Sequence, residues 1–299
     1  MNASTITPRV HLNTLSESDK KKLAKETYAK KSYFQDVFKH DHLELECQKF
    51  SLSFRNEIQR ILIEKNLVQD QVPLENLHEI LSDEMKAYNF DDGVNKISTY
   101  FYETDDSFMA VYHQYIKFLR ENFIREPFWF QKTATIRIHC PDAKNSHHYP
   151  RYHTDISYGH PPEEFNIWLP LTQLLTGHGF KTMSVPLSKS ILEKFDYDYP
   201  KFIGAAIHER LFLSTCDALA TPVSTAFGKM LAFDSRCIHT GMPLSAHTRV
   251  SIDMRILPLS QYDRMHYEYQ GLGRRKILFT PGHCYHEQHS DYFLNTIGK

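Results

Sequence analysis

The run RYHTDISYGHPPEEFNIWLPLT, from Arg151 to Thr172, sets His153 and Asp155 two residues apart. In extended backbone such residues point to the same side, so an imidazole and a carboxylate can reach one metal ion together. The pair alone discriminates poorly. With 18 His in 299 residues, roughly one His-x-Asp arises by chance, and a second occurs at His289-Ser290-Asp291. What singles out the first pair is the later run FDSRCIHTGMPLSAHTRVSIDMRI, Phe233 to Ile256. There the strand-like stretch KMLAFD leads to His239, and Arg249 follows ten residues later. From Arg249 the chain alternates, with Arg249, Ser251, Asp253 and Arg255 on one face and Val250, Ile252 and Met254 on the other. Two imidazoles and one carboxylate on one side of an Fe(II) ion leave three positions open for reactants. A nearby arginine offers a planar, permanently charged fork that grips a carboxylate through two parallel hydrogen bonds, and Ser251 adds a hydroxyl on the same face. The pattern points to metal-centred chemistry with an anionic small molecule held beside the ion. His289 has no downstream histidine or Arg-x-Ser to complete such a set, and His42-Leu43-Glu44 lies in a helical region without strand context.

The elements that must carry these residues change character near Pro127. Before it the texture is helical: LSFRNEIQRILIEKNL and LENLHEILSDEMKAY both place apolar residues at spacings of three and four. Asp105-Asp106-Ser107 then opens a third helix, FMAVYHQYIKFLRENFI. The lysines at 20, 21, 22, 25, 30 and 31 read as a solvated helix face, the alternative being a docking surface for acidic lipid or a partner. After Pro127 short strand candidates follow: TATIRIHC, EFNIWLPL, KTMSVPL, GKMLAFD and HTRVSIDMRILPL, separated by turns rich in Gly, Pro and Asn. Helices followed by many short strands predict a barrel or jelly roll with helices packed outside.

Bulk composition excludes several classes. Thirty-five Lys and Arg balance 36 Asp and Glu, a formal charge of −1 that is unsuited to wrapping nucleic acid. No apolar run approaches the roughly 20 residues of a membrane span, and the first residues lack the apolar core of a secretory signal. Five scattered cysteines without CxxC spacing read as reduced thiols, so a cytoplasmic location is expected.

The segment from Thr133 to Pro258, with its His-x-Asp, distal His and Arg-x-Ser in that order, resembles the Fe(II)/2-oxoglutarate-dependent dioxygenase superfamily. The run HTDISYGHPPEEFNIWLPLT more narrowly resembles oxygenases associated with streptomycin biosynthesis and bacterial hydroxylases acting on Kdo, the acidic sugar of lipopolysaccharide. The resemblance implies an all-β catalytic core of double-stranded β-helix (jelly-roll) type over residues 128–299, with a mainly helical region, 1–127, packed upon it. The 84 residues from Asp155 to His239 exceed what is common in the superfamily and imply an insertion around 188–225. The resemblance further implies Fe(II) on His153, Asp155 and His239, with 2-oxoglutarate and O₂ as co-substrates and Arg249 and Ser251 at the remote carboxylate. A carboxylate at position 155, where halogenating relatives carry a small residue, points to hydroxylation of a C–H bond, with desaturation or ring closure still open. The expected substrate is a polar small molecule or glycan, Kdo among them, and peripheral membrane contact is expected only if that substrate is lipid-linked. The alternatives are an amino acid or another natural-product scaffold. A metal-dependent hydrolase or cupin-like isomerase on the same three ligands is a different class, and it leaves Arg249 and Ser251 without a task. So is a catalytically silent binding barrel, which leaves the whole ligand set without one.

Further candidates are softer. Arg137 and His139 share a face of the strand before the pair; turned inward they could hold a carboxylate, turned outward they make a surface cross-strand pair. Asn166 is a candidate pocket hydrogen-bonder, and Trp168, on the same face, a candidate for the core. Tyr158 and His160 are candidates for the pocket entrance, His147-His148 for loop or substrate contact, and Cys237 for packing. Arg274-Arg275-Lys276 reads as a solvated turn or a weak phosphate-binding cluster.

Overall fold

The computed structural model describes residues 9–89, 94–141, 143–145, 152–173, 179–223, 225–241, 246–270, 279 and 281–297. Two of the candidates above, His147-His148 and Arg274-Arg275-Lys276, lie outside these residues. The strands are β1 (Val10–His11), β2 (His42–Glu46), β3 (Phe128–Phe130), β4 (Thr135–His139), β5 (Phe165–Pro170), β6 (Phe180–Thr182), β7 (Thr221–Val223), β8 (Lys229–Asp234), β9 (His239–Gly241), β10 (Arg249–Pro258) and β11 (Tyr267–Glu268). The helices before them are α1 (Glu17–Ala29), α2 (Tyr33–Phe38), α3 (Gln48–Glu64), α4 (Leu77–Ile80), α5 (Asp83–Lys86), α6 (Lys96–Thr99) and α7 (Asp106–Asn122). Later come α8 (Val185–Glu193), α9 (Tyr199–His208), α10 (Arg210–Leu219), α11 (Leu259–Tyr262) and α12 (Ser290–Ile297).

The architecture is mixed, with helices packed on antiparallel sheets. The larger sheet runs β2-β8-β5-β10-β3, with β4 also paired to β10, and the smaller runs β7-β6-β9. In register, Arg249 lies opposite His139 and Ser251 opposite Arg137, while Arg255 lies opposite Asn166 on the other flank. The period of two along β10 decides which side faces what. Val250, Ile252, Met254 and Ile256 join Ile136, Ile138, Phe165, Ile167 and Leu169 in one core with Phe54 and Ile58 of α3 and Tyr112 and Leu119 of α7. The alternate residues of β4, β5 and β10 face the opposite way, where a second core of α1, α8, α9 and α10 closes over the small sheet. Among the described residues no helix is long and apolar enough to cross a membrane.

Local chemistry departs from the sequence reading at four places. KTMSVPL is strand only as far as Thr182, because the Ser184 hydroxyl accepts from Leu187 N and Pro186 sits in the first turn, starting α8. LENLHEILSDEMKAY is not one helix: Leu81 is extended and Ser82 caps a fresh start at α5, so the pattern splits into short turns. His42-Leu43-Glu44 does have strand context. It forms the edge strand β2 against β8, with His42 exposed on the outer rim and therefore no part of a metal set. The lysines of α1 are partly engaged, Lys25 pairing with Asp196 at 2.7 Å and Lys21 with Asp196 and Asp198 at 3.4 Å. The third helix, in contrast, begins where its acidic run suggests, with the Asp105 carboxylate accepting from Phe108 N at 3.0 Å.

Candidate metal centre

The two histidines are placed by their own backbones. His153 N donates to His239 O at 3.1 Å and His239 N to His153 O at 2.9 Å, an isolated antiparallel bridge. Residues paired in this way carry side chains on one side of the sheet, and the imidazole centroids are 4.4 Å apart. His239 is anchored on its other flank by β6, opposite Thr182. Asp155 follows through a turn that the sequence also encodes. Thr154 accepts from Ser157 N at 3.2 Å, Ser157 Oγ donates to Thr154 O at 2.6 Å, and Gly159, at φ 89°, closes a short 3₁₀ turn over Asp155–Tyr158. That left-handed φ suits glycine.

One ligand atom from each of His153, Asp155 and His239 lies within 4.8 Å of the others, the one such group among the described residues. Asp155 Oδ1 stands 3.8 Å from His153 Nε2 and 3.9 Å from His239 Nε2. His239 Nδ1 lies 3.0 Å from the Cys237 carbonyl, which accepts its proton and leaves the Nε2 lone pair facing Asp155. Cys237 itself is buried packing. The other Asp155 oxygen, Oδ2, accepts from Arg255 Nε at 3.0 Å. Burial opposes ionisation of this carboxyl, but the Arg255 guanidinium overrides it and holds Asp155 well below the usual carboxylate range. Two imidazole nitrogens and one carboxylate oxygen, mutually close, suit a divalent first-row metal.

The cleft over this triad encloses about 660 Å³ including its open mouth, and Arg137, His139, Asn166, Arg249 and Ser251 all line it. Arg249 is 5% exposed, and its Nη1 donates to the Gly179 carbonyl. Asn166 is buried, and its Nδ2 has no hydrogen-bond partner among the described residues. Arg137 is at once a cross-strand ion pair, through Asp253, and a lining residue, so the inward and outward readings of its face merge. His139 is bound to the Tyr88 hydroxyl at 2.5 Å. Burial, followed by the charges of Arg249 and Arg137, pushes its pKa well down, so it is neutral. Trp168 belongs to the second core and also lines the cleft, packing edge-on to Phe180 at 5.1 Å.

One expectation changes. Tyr158 packs edge-on to the His153 ring at 5.0 Å, but His160 is not at the entrance. It turns inward, with Nδ1 2.9 Å from Glu164 Oε2 and its ring 4.0 Å from that of Phe279. At the second His-x-Asp, Asp291 is taken by Arg120 at 2.7 Å and His289 packs edge-on to Trp129. The residue that sequence reasoning passed over is Arg255. Its place on the Arg249 face was visible, but its contact with a carboxylate 100 positions earlier was not.

No family model matches the chain. Over 200 residues it is 24% identical to the streptomycin biosynthesis protein StrG of Streptomyces griseus, covering 66% of this chain and 80% of that protein. Among solved structures it is similar to HygX from Streptomyces hygroscopicus with nickel and 2-oxoglutarate bound, at 12% identity, 76% of this chain, 85% of that chain and a TM-score of 0.44. It is also similar to SnoK, a non-haem α-ketoglutarate-dependent carbocyclase from nogalamycin biosynthesis, at 10% identity, 89% of each chain and a TM-score of 0.37. The chain that brings His153, Asp155 and His239 together is thus similar, at low identity, to these three proteins.

Proposed function

We propose that this protein is an Fe(II)- and 2-oxoglutarate-dependent dioxygenase that hydroxylates a C–H bond of a polar small molecule. The observation that carries the reading is the convergence of His153 Nε2, His239 Nε2 and Asp155 Oδ1 beneath a strand that presents Arg249 and Ser251 to the same cleft. In this reading those three atoms hold the iron, and Arg249 with Ser251 receives the remote carboxylate of 2-oxoglutarate. When bound, iron and 2-oxoglutarate supply the oxidation: O₂ gives one atom to the substrate and one to succinate, with loss of CO₂. The chain itself orients and excludes water. The Cys237 carbonyl keeps His239 in the metal-binding tautomer, Phe233 flanks the His239 ring at 5.0 Å, and the neutral His139 adds no charge beside Arg249. Asn166 and Arg137 are assigned to the rest of the bound keto acid or to an anionic substrate. A hydrolase on the same ligands gives no role to a buried arginine fork facing the cleft.

The core is read as a double-stranded β-helix, with the insertion around 188–225, which takes in most of α8 and all of α9 and α10, as the segment that shapes substrate choice. The relative from streptomycin biosynthesis favours a natural-product scaffold or glycan, of which Kdo is one instance. Anaerobic reconstitution with Fe(II), followed by O₂ and 2-oxoglutarate, tests the reading through succinate release. Metal-dependent succinate formation that rises with one member of a substrate panel is expected; none with any member sinks the proposal.

A further inference from the structure

Resting on the metal-site reading, we infer that Arg255 is a positioning residue that clamps Asp155 so that a single carboxylate oxygen is offered to the metal. The clamp is visible in how the two oxygens are divided. Oδ2 accepts from Arg255 Nε at 3.0 Å, while Oδ1 stands 3.8 and 3.9 Å from the two imidazoles. A carboxylate with no partner can rotate about its last bond and present either oxygen, or both, to a cation. A hydrogen bond from a guanidinium in a rigid strand removes that freedom, because the donor cannot follow the rotation.

Arg255 is well placed to be rigid. It sits within β10, hydrogen-bonded on one flank to β5 opposite Asn166, and Gln131 lies 3.5 Å from its Nη1 on the other side. A further layer stands behind Asp155. His160 N donates to Asp155 O at 3.2 Å, and the His160 ring is itself fixed by Glu164 at 2.9 Å. The turn carrying Asp155 is therefore held from the backbone side as well as from the carboxylate side. The pairing also answers a solvation problem. Asp155 is 3% exposed, and a buried carboxylate with no countercharge is strongly disfavoured. Arg255 supplies that countercharge at 3.0 Å and at the same time aims the carboxylate. This is the role that outer partners of metal ligands play when they orient a ligand and tune its basicity, and their loss typically weakens metal binding roughly 10–100-fold.

The test is an anaerobic titration of the full-length chain with Fe(II), and with Co(II) as a spectroscopic probe, for wild type, Arg255→Gln, Arg255→Lys and Arg120→Gln. Arg255→Gln is expected to raise the metal Kd by roughly 10–100-fold and to change the Co(II) absorption envelope, which reports coordination number and geometry. Arg255→Lys restores the charge without the fork and should fall between the two. Arg120→Gln removes a comparable ion pair far from the site and should leave the metal Kd unchanged. A normal metal Kd and Co(II) spectrum in folded Arg255→Gln overturns the clamp, and so does failure of both Arg255 variants to fold, which assigns the residue to the fold instead. Asp155→Ala and His239→Ala separate this from the underlying reading. If they too bind metal normally, the metal site itself is wrong; if they lose binding while Arg255→Gln keeps it, only the clamp falls.

Discussion

Arg249→Lys is the substitution on which the co-substrate assignment turns. Arg249 is 5% exposed and sits opposite His139 on β10, its guanidinium steadied by the Gly179 carbonyl and lining the cleft above the triad. Lysine keeps the charge but replaces a planar fork by one compact ammonium, so one of two parallel hydrogen bonds to a carboxylate is lost. A hydrogen bond to a charged group is worth about 1.5–3 kcal/mol. At about 1.4 kcal/mol per factor of ten, 2-oxoglutarate affinity should fall roughly 10- to 150-fold. Arg249→Met removes the charge as well and should fall further. Anaerobic calorimetric titration of 2-oxoglutarate into the Ni(II)-loaded protein measures this directly, and metal affinity, measured separately, should stay unchanged because Arg249 is not a ligand. An unchanged 2-oxoglutarate Kd in folded Arg249→Lys would refute the assignment.

The Arg236 guanidinium is buried, ion-paired to Asp234 at 2.9 Å, and donates to the carbonyls of Thr27 and Lys30 at the end of α1. Arg236→Met strands a buried carboxylate at a cost of about 3–5 kcal/mol, so the melting temperature should drop by roughly 5–8 °C; an unchanged melting curve contradicts the network. Asn166→Leu breaks no hydrogen bond of Nδ2 to the described residues, so stability should hold while affinity for the keto acid or substrate falls roughly 2- to 10-fold, the loss of one neutral hydrogen bond. Equal affinity removes Asn166 from the site. Burial raises the Glu163 carboxyl to about 7 from an ordinary value of 4.5. A raised folded-state pKa gives stability that is fully present below about 4.5 and lost as pH rises through about 7. Glu163→Gln should therefore gain on wild type in melting temperature between pH 5 and pH 8, and a constant difference across that range speaks against the assignment.

The period of two along HTRVSIDMRILPL was enough to divide β10 into an apolar face for the helices and a polar face for the cleft, because alternation is a local consequence of strand geometry. The same logic gathered Arg137 with His139, and Asn166 with Trp168, on single faces. Capping was legible too, in Asp105 before α7. Elsewhere local patterns competed, and side-chain caps at Ser82 and Ser184 won over an apolar periodicity that would have extended a helix and a strand. What no pattern along the chain reveals is which distant groups touch. Only the fold shows that His153 and His239 share a backbone bridge, that Arg137 pairs with Asp253 while lining the cleft, that His160 turns inward to Glu164 and that Arg255 takes one oxygen of Asp155. Residue type and spacing determine what a side chain can do and which side of its own element it leaves from. Its partner is decided by strand register and burial across the whole chain, and these are properties of the packed structure alone.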